Sequence, residues 1–155
     1  MIEIHEVGDI LLRSCNSSFS PKKHAIEMGK TPVKQQTFNK LAGVHVVDVI
    51  GENNEDSKIC FYRVLCGLRL LVDNDDDKEE IDFELRAEFD VPFNASNDVS
   101  QPEIEANSDN SLIMASVWPY WKELIQSICL KSGIKPLKIP DYTPLQKSKL
   151  VEIDN

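Results

Sequence analysis

The sequence predicts an α+β domain, a four-stranded antiparallel sheet with a long crossover loop and one long helix packed on it. Three observations carry this. Between Ile81 and Val91, Ile81, Phe83, Leu85, Ala87, Phe89 and Val91 alternate with Asp82, Glu84, Arg86, Glu88 and Asp90, the period of a strand covered on one side only. The preceding run, Lys58 to Val72, is apolar on most of both faces and is joined to it by Asp73-Asn-Asp-Asp-Asp-Lys78. From Leu112 to Ser132, apolar residues recur at three- and four-residue steps, which is helical spacing.

Length and charge limit the class. The chain has 155 residues, enough for one domain of ordinary size, and 26 Asp and Glu against 17 Lys and Arg give a net charge of -9. That charge opposes binding to phosphate backbones and anionic lipid, so no nucleic acid is expected as a partner. No apolar run approaches the ~20 residues of a membrane span, and Met1 leads into an acidic, strand-like segment unlike a signal peptide. A cytoplasmic protein without a membrane span is expected.

Taking the elements in order, Ile2 to Cys15 forms the first strand, bulged near Gly8, and Asn16 to Pro32, rich in Ser, Lys and Pro, forms an irregular connection. Val44 to Ile50 is short and β-branched, and the polar turn Gly51 to Asp56 leads into the Lys58 strand, where Ile59, Phe61 and Leu65 form a second apolar face. With the Ile81 strand this makes a three-strand meander. The Asp-rich turn between the last two strands lacks the glycine and distal Glu of an EF-hand, so it reads as a solvated hairpin tip. From Phe93 to Ser111 no periodicity is usable, and a loop that long crosses over the sheet, is disordered, or is functional.

In the helix, Ile113, Val117, Tyr120 or Trp121, Leu124, Ile128 and Cys129 share the apolar spacing. Asn110 or Ser111 can cap its start, Gly133 suits a left-handed stop, and Pro136 prevents continuation. Pro119 leaves two possibilities, a helix starting near Ser116 or a longer, kinked one from Leu112, and the longer is favoured. Apolar positions nearly encircle the helix between Met114 and Leu130, more than one sheet face requires. A second buried surface, either intramolecular or between subunits, is therefore expected, and Trp118, Tyr120 and Trp121 either anchor a core or line an apolar groove.

Chemistry-bearing patterns are few. Cys15, Cys60, Cys66 and Cys129 form no Cys-x-x-Cys pair and lack ligand spacing to His5, His24 or His45. They read as reduced apolar residues, with no metal and no cofactor. No Ser-His-Asp or Cys-His arrangement appears, and Glu79-Glu80 lies in a charged hairpin, so an enzyme is not expected and no catalytic residue is assigned.

Trp118-Pro119-Tyr120, followed by Lys122-Glu123 and a helix ending at Gly133 before Pro136, resembles the Phe-Pro-Tyr-Ala-Arg-Glu helix and Gly-x-x-Pro exit of the SecB export chaperones. The order of elements is also similar to that family's: four antiparallel strands, a long crossover, then this helix. The resemblance implies a SecB-like domain over residues 1–140 with a C-terminal tail at 141–155, acting as an ATP-independent holdase for unfolded or nascent polypeptides. It implies a homo-oligomer, a dimer of dimers built through helices and sheet edges.

On that reading Trp118, Tyr120, Trp121, Ile59, Phe61 and Leu65 are candidates for client or interface contact, and Leu124 and Ile128 for the interface. Glu84 falls near the position at which secretion-serving relatives meet the export motor ATPase. Two departures stand out. The short, Pro144-containing tail leaves the family's second helix in doubt. Trp-Pro-Tyr-Trp is nearer to SecB-like relatives dedicated to one client, some of which guard an antitoxin of a toxin-antitoxin pair. A small apolar ligand held on the same helix-covered sheet is the competing expectation.

Overall fold

A computed structural model describes residues 5–6, 9–20, 33–52, 56–73, 78–95, 100–107 and 110–142. Five strands, β1 (His5–Glu6), β2 (Leu11–Phe19), β3 (Val33–Ile50), β4 (Asp56–Asp73) and β5 (Glu79–Ala95), precede two helices, α1 (Gln101–Asn107) and α2 (Asn110–Lys131). β1 and β2 pair antiparallel with one edge of β5 in succession, His5 opposite Asn94 and Leu11 opposite Asp90. They share one lane, so the antiparallel sheet is four strands wide, as expected. The expected irregular connection from Asn16 is instead strand as far as Phe19, because Asn16 to Phe19 continue the pairing with β5; the start of the first strand at Ile2, the bulge near Gly8, residues 21–32, most of the Asp-rich turn, the side chain of Asn110 and the tail beyond Tyr142 lie outside the described residues.

Across the sheet the order is β1 and β2, then β5, β4 and β3. The first and second long strands, β2 and β3, thus occupy opposite edges, and β5 and β4 lie between them, which is a Greek-key order. β3 is much longer than the expected Val44 to Ile50, because its first half, including Lys34, Gln35, Gln36, Asn39 and Lys40, is a polar edge paired only with β4. Such residues show no apolar alternation, yet they suit an edge strand.

The crossover is not a bare loop. Ser100 opens α1 with a capping box: its backbone N–H and hydroxyl donate to Glu103 Oε2 at 2.8 and 3.1 Å, while its carbonyl accepts from Ile104 N–H at 3.1 Å. These bonds hold the Glu103 carboxyl below its usual range. Ile104 is fully buried and attaches the crossover to the core.

The core fills the layer between α2 and one sheet face, where Cys60, Tyr62, Val64, Leu68 and Leu70 of β4 and Phe83, Leu85 and Val91 of β5 are 0% exposed. α2 contributes Ile113, Met114, Val117, Trp118, Trp121, Ile125 and Cys129, a stripe at three- and four-residue steps. The helix runs through Pro119, the longer of the two expected forms. Pro119 brings no N–H to the Ala115 carbonyl. α2 ends in a Schellman motif: Gly133 has φ 72°, Ile134 N–H donates to the Cys129 carbonyl at 2.9 Å, and Gly133 N–H to the Leu130 carbonyl at 3.4 Å.

Candidate functional site: two apolar surfaces on opposite sides of the sheet

α2 covers one sheet face and leaves the other open. Alternation puts Ile59, Phe61 and Leu65 there, all half-buried, while Cys60, Tyr62, Val64 and Cys66 are buried beneath the helix. Two bulges shape this open face. Register shifts occur between Leu12 and Ser14 in β2 and between Leu41 and Gly43 in β3, and both lie at the level where Gly43 opposes Arg63, Arg63 opposes Asp90, and Asp90 opposes Leu11. Bulges bend a strand and increase its twist. Between them lies a groove of about 840 Å³, lined by Leu11, Arg13, Ala42, Gly43, Val44, His45, Val47, Phe61, Arg63, Leu65, Glu88 and Asp90. Gly43, just ahead of the β-branched run from Val44, is a sequence signal that could mark it; Leu11 and Arg13 give none.

The charges on this face largely neutralise one another. Asp90, 6% exposed, accepts from Arg13 Nη1 at 2.8 Å and lies 3.6 Å from Arg63 Nε. The extra bulge residue is Arg13 itself, which the irregularity brings to the Asp90 carboxylate. Arg63 Nε is buried with no hydrogen-bond acceptor among the described residues. Farther along, Glu84 accepts from Arg69 Nε at 3.0 Å and also from Arg86. Arg86 lies 6.0 Å from the centre of the Phe38 ring, and that ring folds over Gly67, directly opposite in register, so that any Cβ at Gly67 would run into it. Glu84 is therefore held by two guanidinium groups.

The aromatic end of α2 lies on the other side of the sheet. Trp121 is 0% exposed, with its ring edge-on to Phe89 at 6.5 Å, and its Nε1 has no hydrogen-bond partner among the described residues. Trp118 is 7% exposed; its Nε1 donates to the Pro140 carbonyl at 2.8 Å and its ring lies 5.5 Å from that of Tyr142. Only Tyr120 of the three is open to solvent, at 39%. Leu124 and Ile128 are half-buried and pack against the core. Asp141 and Tyr142, assigned to the tail from sequence, lie against α2, where Lys122 Nζ donates to Asp141 Oδ1 at 2.7 Å and holds that carboxyl below its usual range.

The six residues expected to make client or interface contact are thus divided, Ile59, Phe61 and Leu65 on the open face and Trp118, Tyr120 and Trp121 on the helix across the sheet. Among the described residues, the open-face groove is lined by Phe61 and Leu65 and by none of Trp118, Tyr120 and Trp121. The layer between helix and sheet, where a small ligand was the competing expectation, is filled by Trp121, Met114, Ile125 and their partners.

Burial pushes the thiols of Cys60 and Cys129 up, and that of Cys66 to about 12, so these three stay protonated and inert near neutral pH. Among the described residues no cluster of three or more His, Cys, Asp or Glu is placed to hold a metal, and no helix is long and apolar enough to cross a membrane.

No family model and no curated protein matches the chain. Among solved structures it is similar to a SecB-like chaperone of Mycobacterium tuberculosis in complex with a ChAD peptide from the HigA1 antitoxin, with 14% identity, a TM-score of 0.58, and coverage of 92% of this chain and 91% of that one. A protein of unknown function from Streptococcus agalactiae aligns at 12% identity and TM-score 0.36, over 92% of this chain and 99% of that one. The first likeness shows that the chain has the SecB-like fold.

Proposed function

We propose that this protein is an ATP-independent holdase, a cytoplasmic, non-enzymatic chaperone that binds unfolded or nascent polypeptide and needs no cofactor. The observation that carries the reading is the open-face groove. A folded domain of this size has left about 840 Å³ of concave space on a sheet face, with Phe61, Leu65, Leu11 and Val47 in its lining and charges that neutralise one another between them. Apolar contact with many sequences, beside paired ions that keep the surface soluble, is what a holdase requires. The SecB-like fold supports it, and the chaperone of that fold described above was solved with a bound peptide.

The chaperone domain takes in residues 1–140, and the tail, 141–155, begins where Asp141 and Tyr142 lie on α2. Assembly as a dimer of dimers would use the helix flank of Leu124 and Ile128 together with the exposed Leu130, 81% accessible, and the long β3 edge. Of the two possible clients, a dedicated partner such as an antitoxin is favoured over general export. Glu84, the candidate for docking the export motor, is already engaged by Arg69 and Arg86, and the peptide in the similar structure comes from an antitoxin.

The test is suppression of aggregation without ATP. Light scattering from a heat-unfolding enzyme is expected to fall as the protein is added in stoichiometric amounts, and chromatography with light scattering is expected to give a tetramer whose mass rises with bound client. A monomer that leaves aggregation unchanged would refute the holdase.

A further inference from the structure

Beyond α2 the chain turns back along the helix in two differently held parts. Ile134 and Ile139 are 4% and 7% exposed, and Gln126 Nε2 donates to the Leu137 carbonyl at 2.6 Å, so this part is rooted in the core. The next three residues form a strap at the rim of the core, where Tyr142 is partly buried. Pro140 gives its carbonyl to Trp118 Nε1, Tyr142 lays its ring against Trp118, and Asp141, its side chain 88% exposed, pairs with Lys122. An ion pair that exposed holds little. Beneath the strap remains a crevice of about 390 Å³ between Ala115, Trp118, Pro119, Lys122, Asp141 and Tyr142.

The strap offers Trp118 and Lys122 a backbone carbonyl, an aromatic ring and a carboxylate. All three are available from a foreign extended chain. The indole N–H is nearly buried and cannot be left without an acceptor at no cost, so the strap leaves readily only when another carbonyl takes its place. The incoming ring would meet Trp118 and place its neighbouring carboxylate on Lys122.

We propose that the Trp118 crevice is a second contact site for client polypeptide, selective for an extended segment with an aromatic residue beside an acidic one, and that Pro140 to Tyr142 occupies it in the resting chain. This rests on the holdase reading for the identity of its partner, and it places that partner on the side of the sheet opposite the open groove.

With two tryptophans in the chain, Trp121→Phe leaves Trp118 as the sole emitter. Titrating this protein, with and without Tyr142→Ala, against a synthetic peptide containing Pro-Asp-Tyr and a control containing Pro-Lys-Ala reads the crevice directly. Tyr142→Ala is expected to red-shift Trp118 emission and to tighten binding of the first peptide by about threefold or more, because the competing strap is weakened. The control should bind far more weakly. In the chain with both tryptophans, Asp141→Asn should act in the same direction, read by anisotropy of the labelled peptide. A red shift without tighter binding, or equal binding of the two peptides, overturns the proposal. If the unaltered protein suppresses aggregation while the peptide fails, only the crevice falls. If the peptide binds and aggregation is unaffected, the holdase reading falls and the crevice stands as a peptide site.

Discussion

On the sheet face that α2 covers, Tyr62, Val64, Leu68 and Leu85 have lost all contact with solvent. On the other face, one residue along the same strands, Phe61, Arg63, Leu65 and Glu84 remain half open. The covered face is almost wholly apolar and packs chiefly against α2, with Ile104 of α1 and Ile134 and Ile139 beyond α2 in the same core, so its energy lies in contacts that only one arrangement satisfies. The open face mixes apolar side chains with arginine-carboxylate pairs, which keep it soluble without filling it. Stability therefore lies mainly on one side, and apolar surface free for a partner lies on the other.

The covered face should be the more sensitive to truncation. Trp121→Ala removes a fully buried indole that packs on Phe89, and an unfolding transition by circular dichroism should lose about 3–5 kcal/mol. The buried Nε1 without an acceptor tempers the loss, since the indole already carries a desolvation cost that alanine would remove. A loss under about 1 kcal/mol would mean that α2 is not seated on this face.

A smaller effect is expected from the paired charges opposite. Asp90→Asn leaves Arg13 and Arg63 facing one another without the carboxylate both approach. The two arginine side chains are 52% and 42% exposed and can turn to water, so the cost should be about 1–2 kcal/mol. Its signature is salt dependence: added salt should narrow the gap between variant and parent by screening the two guanidinium groups. A gap that widens with salt would break the account of this face as self-neutralised.

How far each region could be read from sequence follows the same division. The covered face was legible because it is periodic: the β4 and β5 alternation, the α2 stripe and the Gly133 stop each reflect a local rule. The polar half of β3 was missed because an edge strand paired on one side needs no apolar alternation. α1 leaves little trace in the sequence although Ser100 and Glu103 carry a capping-box spacing, since a helix of seven residues has little periodicity to show. The Greek-key order was illegible, because alternation says nothing about which edge a strand joins. For the candidate site, Phe61 and Leu65 were picked out by their strand face. The groove itself depends on two bulges coinciding across four lanes, and the Trp118 contact with Tyr142 on a chain reversal, neither of which a local pattern encodes.

The smallest effect on stability, and the sharpest separation of the two faces, is expected from Leu65→Thr. Leu65 lines the groove and is only half-buried, so little packing is lost, and threonine brings a β-branched side chain that suits a strand. Unfolding should change by no more than about 1 kcal/mol. The hydroxyl nonetheless replaces apolar surface where a client would lie, so suppression of aggregation should weaken while the assembly and its thermal transition stay near those of the parent. Were the groove a mere irregularity between bulges, Leu65→Thr would leave client capture unchanged. Were Leu65 part of a subunit contact, the particle mass would drop along with capture. Retained mass with reduced capture is the combination that belongs to a client surface, and Trp121→Ala, which acts through the fold, should not reproduce it.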